Sequence, residues 1–288
     1  VFEYASVFQS ELDKDAVEQA TSGWMELNDK LVRYNGGADV KIPSMDMDGL
    51  ADYDRDKGFV EGSVNLKWET KTMTQDRGRQ FTFDENEVNE TNFVVTAAQV
   101  MGEFQRTKVI PEIDAYRYSK IASLCIDKDR AGYEYTPTES DILQKLYYDI
   151  AAVQDVVGED TPLVITMARP VAAIFDMSST LSKSLSVMDF KQGNVTVKVK
   201  SLNGEHPILR VGSGRMKTSY QLYDGTTSGQ EKGGFVAAAD AQDINWIICP
   251  RTAPIAVSRT DKVRIFDPET YQKKRAWATD YRKYHDLW

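Results

Sequence analysis

The side chains that most often carry catalysis are sparse in this 288-residue sequence. The histidines are His206, beside Pro207 in a Gly/Asn loop, and His285, in Tyr284-His285-Asp286. A histidine metal site needs a pair at short spacing, and no such pair and no H-E-x-x-H motif occurs. No G-x-S-x-G presents a serine nucleophile. Gly212-Ser213-Gly214 runs into Arg215-Met216-Lys217, so the third glycine of a dinucleotide-binding turn is missing. No Gly-Lys pair offers a phosphate-binding P-loop. Acids cluster at Asp52, Asp54 and Asp56, at Asp84, Glu85, Glu87 and Glu90, and at Glu112 and Asp114. Any two could be posed as acid and base, but the spacing selects no pair, and solvated faces carry such clusters as readily. Cys125 and Cys249 sit in apolar runs rather than in a C-x-x-C pair, and read as buried free thiols in a reducing cytoplasm. Residues 224–234, rich in Gly, Thr and Ser, read as an exposed flexible loop, with a ligand loop as the alternative. The expectation is a protein that is not an enzyme and uses no cofactor and no metal.

Composition narrows the classes further. Hydrophobic residues make up 41% and charged residues 27%, enough for real cores and against disorder. A formal net charge of −9 disfavours binding to phosphate backbones and to anionic membranes. No apolar run approaches the ~20 residues of a membrane-spanning helix, and the start Val1-Phe2-Glu3-Tyr4 shows no signal peptide. A first residue other than Met implies either a removed initiator or a cleaved upstream segment.

Residues 1–39 read as an arm: a net charge of −5, scattered hydrophobes, and a Gly36-Gly37 hinge. Such a segment packs on something larger, for instance a neighbouring subunit. Residues 40–84 read as extended. Val40-Lys41-Ile42 and Val64 to Glu69 alternate as strands do, around a charged stretch containing Asp46, Asp48, Asp52, Asp54, Arg55, Asp56 and Lys57. A thin two-stranded ribbon is marginal alone, so a partner is expected to hold it. Residues 87–123 are helical, with Phe93, Ala97, Val100, Met101 and Phe104 at helical spacing and Asp84/Glu87 as a capping signal. Pro111 should break or kink this helix, or open a second one. Ile113, Tyr116, Ile121 and Leu124 continue its apolar face. A second helix is expected over 138–157, capped by Thr138 with Asp141 and striped by Ile142, Leu143, Leu146, Ile150, Val153 and Val157. Strands at 163–167, 195–199, 244–249 and 263–266 and a short helix at 169–177 follow without regular alternation, so the class is α+β. From Arg259 onward the chain is +3. Opposite charge on arm and tail either pairs subunits or is ordinary fluctuation.

Three blocks then carry a resemblance. They are Asp76-Arg77-Gly78-Arg79-Gln80-Phe81-Thr82-Phe83-Asp84, Phe104-Gln105-Arg106-Thr107-Lys108-Val109-Ile110-Pro111-Glu112-Ile113-Asp114-Ala115-Tyr116-Arg117, and Thr279-Asp280-Tyr281-Arg282-Lys283-Tyr284-His285-Asp286-Leu287-Trp288. In order and spacing the chain resembles a tailed-bacteriophage major capsid protein of the Hong Kong 97-type fold, in the form found in phages and prophages of Gram-positive hosts. The resemblance implies an N-terminal arm (1–39), an extended β-ribbon loop (40–84), a peripheral domain with a long spine helix (85–135), an axial domain (136–254), and C-terminal strands returning to the peripheral domain (255–288). It implies a partner list: the chain itself in hexamers and pentamers, a scaffold, a portal and decoration proteins, and packaged DNA met without sequence-specific binding, with no membrane. It places the protein in the virion, assembled in the host bacterial cytoplasm. An encapsulin-like nanocompartment shell is the alternative, and a monomeric enzyme the outsider.

The contact candidates between subunits are Asp54, Arg55, Asp56, Lys57, Arg77, Arg79, Arg282 and Asp286. For the ribbon charges the reason is that a thin ribbon cannot bury them. Reversing Arg77 and Arg79 should then impair assembly while leaving the monomer folded.

Overall fold

The computed structural model describes residues 20–34, 37–56, 58–84, 99–178, 185–192, 195–266 and 276–288. Most of the expected arm, Glu87 of the expected cap, and Phe93 and Ala97 lie outside the described residues, while Asp84 ends a strand.

The architecture is mixed α+β. A 3-10 segment, Gly23–Leu31, leads into β1 (Arg33–Tyr34), β2 (Asp39–Met47) and β3 (Val64–Thr72), which form an antiparallel sheet in that order. β4 (Gln75–Asp84) leaves this sheet. It pairs antiparallel with β13 (Ala276–Leu287), which pairs on its other side with β12 (Ala256–Phe266). The thin ribbon therefore consists of β2 and β3 alone, and Arg77 and Arg79 on β4 do not belong to it. The reason is register: β4 follows β13 from Asp84↔Ala276 to Gln75↔His285. The approach is close enough that a Cβ on Gly78 would stand 2.8 Å from the Tyr281 carbonyl oxygen, so this position needs glycine.

The chain is helical from 99 to 104, passes through a widened π turn at Gln105–Val109, and continues as α1 (Ile110–Asp127). In the π turn the Ile110 N–H reaches back to the Gln105 carbonyl. Pro111 follows directly. Its ring cannot sit against the carbonyl four residues back in a regular helix, and the widened turn accommodates it without ending the helix. The buried face of α1 uses Ile110, Ile113, Ala115, Tyr118 and Ile121, while Leu124 is exposed. α2 (Ile142–Val157) buries Ile142, Leu146 and Ile150, as its stripe implies. Thr138 donates its N–H and its hydroxyl to Asp141 Oδ1 (2.9 and 2.7 Å) just before the first turn.

β5 (Leu163–Ala168), buried along its whole length, lies between β11 (Trp246–Pro250) and β8 (His206–Val211). β7 (Val195–Leu202) and β6 (Leu185–Gln192) complete this five-stranded sheet, in which only the β5–β8 pair is parallel. α3 (Arg169–Met177), with Pro170 in its first turn, buries Val171, Ala172 and Phe175. α1, α2, α3 and this sheet share the main core, which Trp24 and Met25 of the N-terminal segment also enter. β9 (Tyr220–Leu222) and β10 (Phe235–Ala237) form a separate hairpin.

Candidate assembly surface

Strand parity places alternate residues of the β2–β3 ribbon on opposite faces. Val40 and Ile42 take one face at the base, where Val40 is buried with Val32, Met73 and Val257, and Ile42 packs against them. Beyond Ile42 the apolar parity changes. The cross-strand pairs Pro43↔Trp68, Met45↔Leu66 and Met47↔Val64 lie on the opposite face, while Ser44, Asp46, Asn65 and Lys67 continue the first. Met45, Met47, Val64 and Leu66 are 61%, 62%, 68% and 59% exposed. The distal ribbon thus presents an apolar stripe on the face turned away from the one anchored to its own body.

The tip is organised despite its exposure. Asp48 and Ser63 close it: the Asp48 N–H donates to the Ser63 carbonyl (3.1 Å), and Asp48 Oδ2 accepts from Ser63 N (2.7 Å) and Oγ (2.9 Å). These bonds hold the Asp48 carboxyl below its ordinary range. Asp54 and Gly58 exchange backbone hydrogen bonds across a small turn, and Gly58 takes φ of +82°, which favours glycine. The rings of Tyr53 and Phe59 meet with centroids 4.8 Å apart. Leu50, Tyr53, Phe59 and Val60 line a concavity of about 530 Å³, and Asp48, Asp52 and Glu61 also border it. Leu50 and Phe59 are the extremes, 108% and 86% exposed.

The contact candidates fall in three environments. Asp54, Arg55 and Asp56 stand exposed at the ribbon tip, and Lys57 lies outside the described residues. Arg77 is turned inward: it binds Glu112 of α1 in bidentate fashion (Nε–Oε1 2.7 Å, Nη2–Oε2 3.2 Å) and donates to the carbonyls of Tyr223 and Gly234. Arg79 donates to the Glu231 carbonyl. These two arginines hold the neck of the Gly/Thr/Ser loop, which also bonds to itself: Asp224 accepts from Thr226 N and from Thr227 N and Oγ1. The loop is exposed as its composition suggests, but it is tied to β4. Arg282 pairs with Asp76 across the β4–β13 ladder (Nε–Oδ1 2.8 Å, Nη2–Oδ2 2.5 Å), which lowers the Asp76 carboxyl. Asp286 is buried and accepts from Thr74 N, Thr74 Oγ1 and Tyr116 OH. Burial, reinforced by that bond to Asp286, pushes the Tyr116 hydroxyl up to about 12. Arg77 and Asp286 therefore have partners within their own chain, and a reversal of Arg77 acts on the folded monomer itself.

A feature missed by sequence reasoning is a buried polar clasp fixing residues 21–26 to α1. Asp114, fully buried, accepts from Thr21 N and Oγ1 (3.2 and 2.9 Å), Ser22 N and Oγ (3.1 and 2.6 Å), and Arg215 (3.1 Å). Arg117, 1% exposed, donates to Ser22 O and Oγ and to Glu26 Oε1. Burial alone would raise the Glu26 carboxyl, but Arg117, Lys283 and a hydrogen bond from Ser258 bring it down to about 2. Asp114 and Arg117 are three residues apart, and that helical spacing is the one signal that could have paired them.

Both cysteines are free and half-buried, and burial pushes the Cys249 thiol up to about 12. Among the described residues no group of three His, Cys, Asp or Glu converges as a metal site, and no helix is long and apolar enough to cross a membrane.

No protein-family model matches the chain, and no curated protein is detectably similar to it in sequence. Solved structures do overlap with it. The capsid structure of the cyanophage P-SCSP1u gives a TM-score of 0.49 at 6% identity, over 88% of this chain and 81% of that one. A chain from Mycobacterium phage Che8 gives 0.48 at 12%, over 88% and 80%. The virus-like particle from Pyrococcus furiosus gives 0.47 at 12%, over 99% and 94%. With every one of these TM-scores below 0.5, the functional reading rests on this chain's own surface.

Proposed function

We propose that this chain is a structural protein that works by assembling with copies of itself into a closed shell: the major capsid protein of a tailed phage, enclosing its double-stranded DNA. The observation that carries the reading is the β2–β3 ribbon, an extended element whose distal apolar face its own chain leaves in solvent. Large contiguous apolar patches on a soluble protein mark interaction sites. A ribbon crossing onto a neighbour adds contact area without enlarging the core. Many modest contacts of this kind, repeated by symmetry, hold a shell collectively. The three motif blocks support the same reading, since each falls on a structural junction: the β4–β13 pairing, the π turn of the long helix, and β13 itself. Hexamers and pentamers of the chain, with scaffold, portal and decoration proteins, would complete the particle in the host cytoplasm.

Negative-stain electron microscopy tests this, on the protein expressed alone and then with the genes beside its own. Closed shells, capsomer rings or tubes are expected. A monodisperse monomer under both conditions, without rings at high concentration, would refute it. Small uniform shells that copurify an enzyme cargo would replace the phage capsid with an encapsulin-like compartment.

A further inference from the structure

Cys125 and Cys249 are far apart in sequence, yet the fold brings them to one seam, where the last turns of α1 lie on the five-stranded sheet. On the sheet side, Thr166 stands opposite Ile247, and Val164 opposite Cys249, along the β5–β11 ladder. Residues directly opposite, and residues two apart on a strand, share a face, so Cys249 points to the same side as Thr166. On the helix side, fully buried Tyr118 reaches Thr166 and lies within electrostatic range of Cys249. Cys125 is seven residues beyond Tyr118, about two turns, and is therefore on the same face of α1. Each cysteine packs against the main core. Burial, and after it the neighbouring Cys125, push the Cys249 thiol up, so the two thiols are near enough to sense each other. The chain leaving α1 stays at this seam. The N–H groups of Lys128 and Arg130 donate to the Cys125 carbonyl, the Tyr135 carbonyl accepts from Asn245 Nδ2 (2.8 Å), and the Tyr135 and Trp246 rings meet edge-on with centroids 5.5 Å apart.

We propose that Cys125 and Cys249 are a cross-linking site: when the folded protein meets a small-molecule disulfide they join, fastening the last turn of α1 to β11. This goes beyond the assembly reading and does not depend on it. Of the two thiols Cys125 is the one that reacts first, because the cation of Arg130 opposes the rise that burial imposes on it. The Cys125 thiolate attacks one sulfur of the oxidant, releasing one thiol and leaving a mixed disulfide. The Cys249 thiol then gives up its proton and displaces the second thiol. One S–S bond forms inside the chain, two S–H bonds are lost, and the oxidant takes up two electrons and two protons as two thiols. Both cysteines stay reduced where thiols are kept reduced, and the bond forms once the protein passes into oxidising surroundings. It closes a long loop, so it stabilises the folded state largely by restricting the unfolded chain. The two elements it ties, the long helix and the five-stranded sheet, are otherwise held at this seam by packing and hydrogen bonds alone.

Equilibration of the full chain in a glutathione redox buffer, once folded and once unfolded in urea, tests the pair. Free thiols are then blocked by alkylation, and intact mass and non-reducing peptide maps are recorded. The folded protein should become lighter by two hydrogens, with the Cys125 and Cys249 peptides joined within one chain at every protein concentration. The ratio of cross-linked to reduced protein should be at least about tenfold higher folded than in urea, since a bond that suits the fold is favoured by it. The oxidised protein should melt roughly 5 °C or more above the reduced one. Cys125→Ser and Cys249→Ser should each abolish both the cross-link and the response of the melt to oxidant. A ratio no higher folded than unfolded would overturn the proposal, because the fold then does nothing to bring the thiols together. Glutathione adducts in place of the internal bond, or cross-links between chains, overturn it as well. A cross-linked protein that melts no higher than the reduced one overturns the fastening of α1 to β11.

Discussion

At the residue scale, the strongest constraints are buried charges with complete sets of partners. Asp114 holds Thr21, Ser22 and Arg215 at once, and the neighbouring Arg117 holds Ser22 and Glu26. Removing one member of a buried pair leaves the other without compensation, which costs about 3–5 kcal/mol. Asp114→Ala should therefore lower the unfolding free energy measured in urea by that order, and hydrogen exchange should show residues 20–31 opening first. Arg77 makes a second such prediction. Arg77→Glu would place a carboxylate against Glu112 and take the arginine's donor from the Tyr223 carbonyl, while the Gly234 carbonyl would keep the Tyr223 N–H. A loss of about 2–4 kcal/mol in the unassembled protein is expected, from charge repulsion and unsatisfied groups. Arg79→Glu, removing one exposed hydrogen bond, should cost under ~1 kcal/mol. Chemical denaturation of both variants checks the contrast. The identity of these residues was plain in the sequence, but their partners were not. Arg77 stands between Asp76 and Gly78 in a polar stretch and reads as a surface cation until β4 is seen packed beside α1 and the β9–β10 hairpin.

Among the elements, the ribbon is where folding and function separate most cleanly. Its base is fastened by Val40 and Ile42, whereas its distal stripe contributes nothing to its own body's core. Met45→Ser with Leu66→Ser should shift monomer stability by no more than ~0.5 kcal/mol, as surface substitutions do. The same pair should reduce assembly sharply, measured as the shell fraction by sedimentation. A large fall in monomer stability would mean that the stripe packs within its own chain. The long helix shows the opposite relation between pattern and outcome. Pro111 looks like a terminator by local rules, yet the helix runs through it because a π turn widens the ladder just upstream. The stripe of α2 was legible from spacing alone, since Ile142, Leu146 and Ile150 need only one core to face. The stripe of α1 was partly misread: Ile113 and Ile121 are buried, but Tyr118 rather than Tyr116 is the fully buried tyrosine, and Leu124 is exposed.

For the whole molecule, acid is the informative perturbation. His285 is 2% exposed, and among the described residues its Nδ1 has no hydrogen-bond partner. Burial, with Arg117, Lys283 and Arg77 nearby and only partly opposed by Glu26, holds the ring neutral down to about 3. The unfolded chain takes up this proton near the ordinary histidine value of about 6.5. The stabilisation is therefore complete above pH ~6.5 and is lost, at up to about 1.4 kcal/mol per pH unit, as pH falls toward 3. Glu26 adds a loss of the same sign once pH falls below its ordinary value, 4.5, toward 2. Melting temperatures from pH 8 to pH 4 should fall most steeply below pH 6.5, and His285→Gln should flatten the upper part of that slope. An unchanged slope in the variant would assign the acid sensitivity elsewhere. The sequence by itself determined the α+β class, the extended character of residues 40–84, the α2 stripe and the poverty of catalytic constellations. All of these follow from local periodicity and residue type. Tertiary structure alone decided that β4 joins β13 rather than the ribbon, that Asp114 and Arg117 clasp the N-terminal segment, and that the ribbon's apolar face turns away from its own body. Those outcomes depend on which distant segments meet, and strand alternation says that a strand has two faces without saying what each will touch.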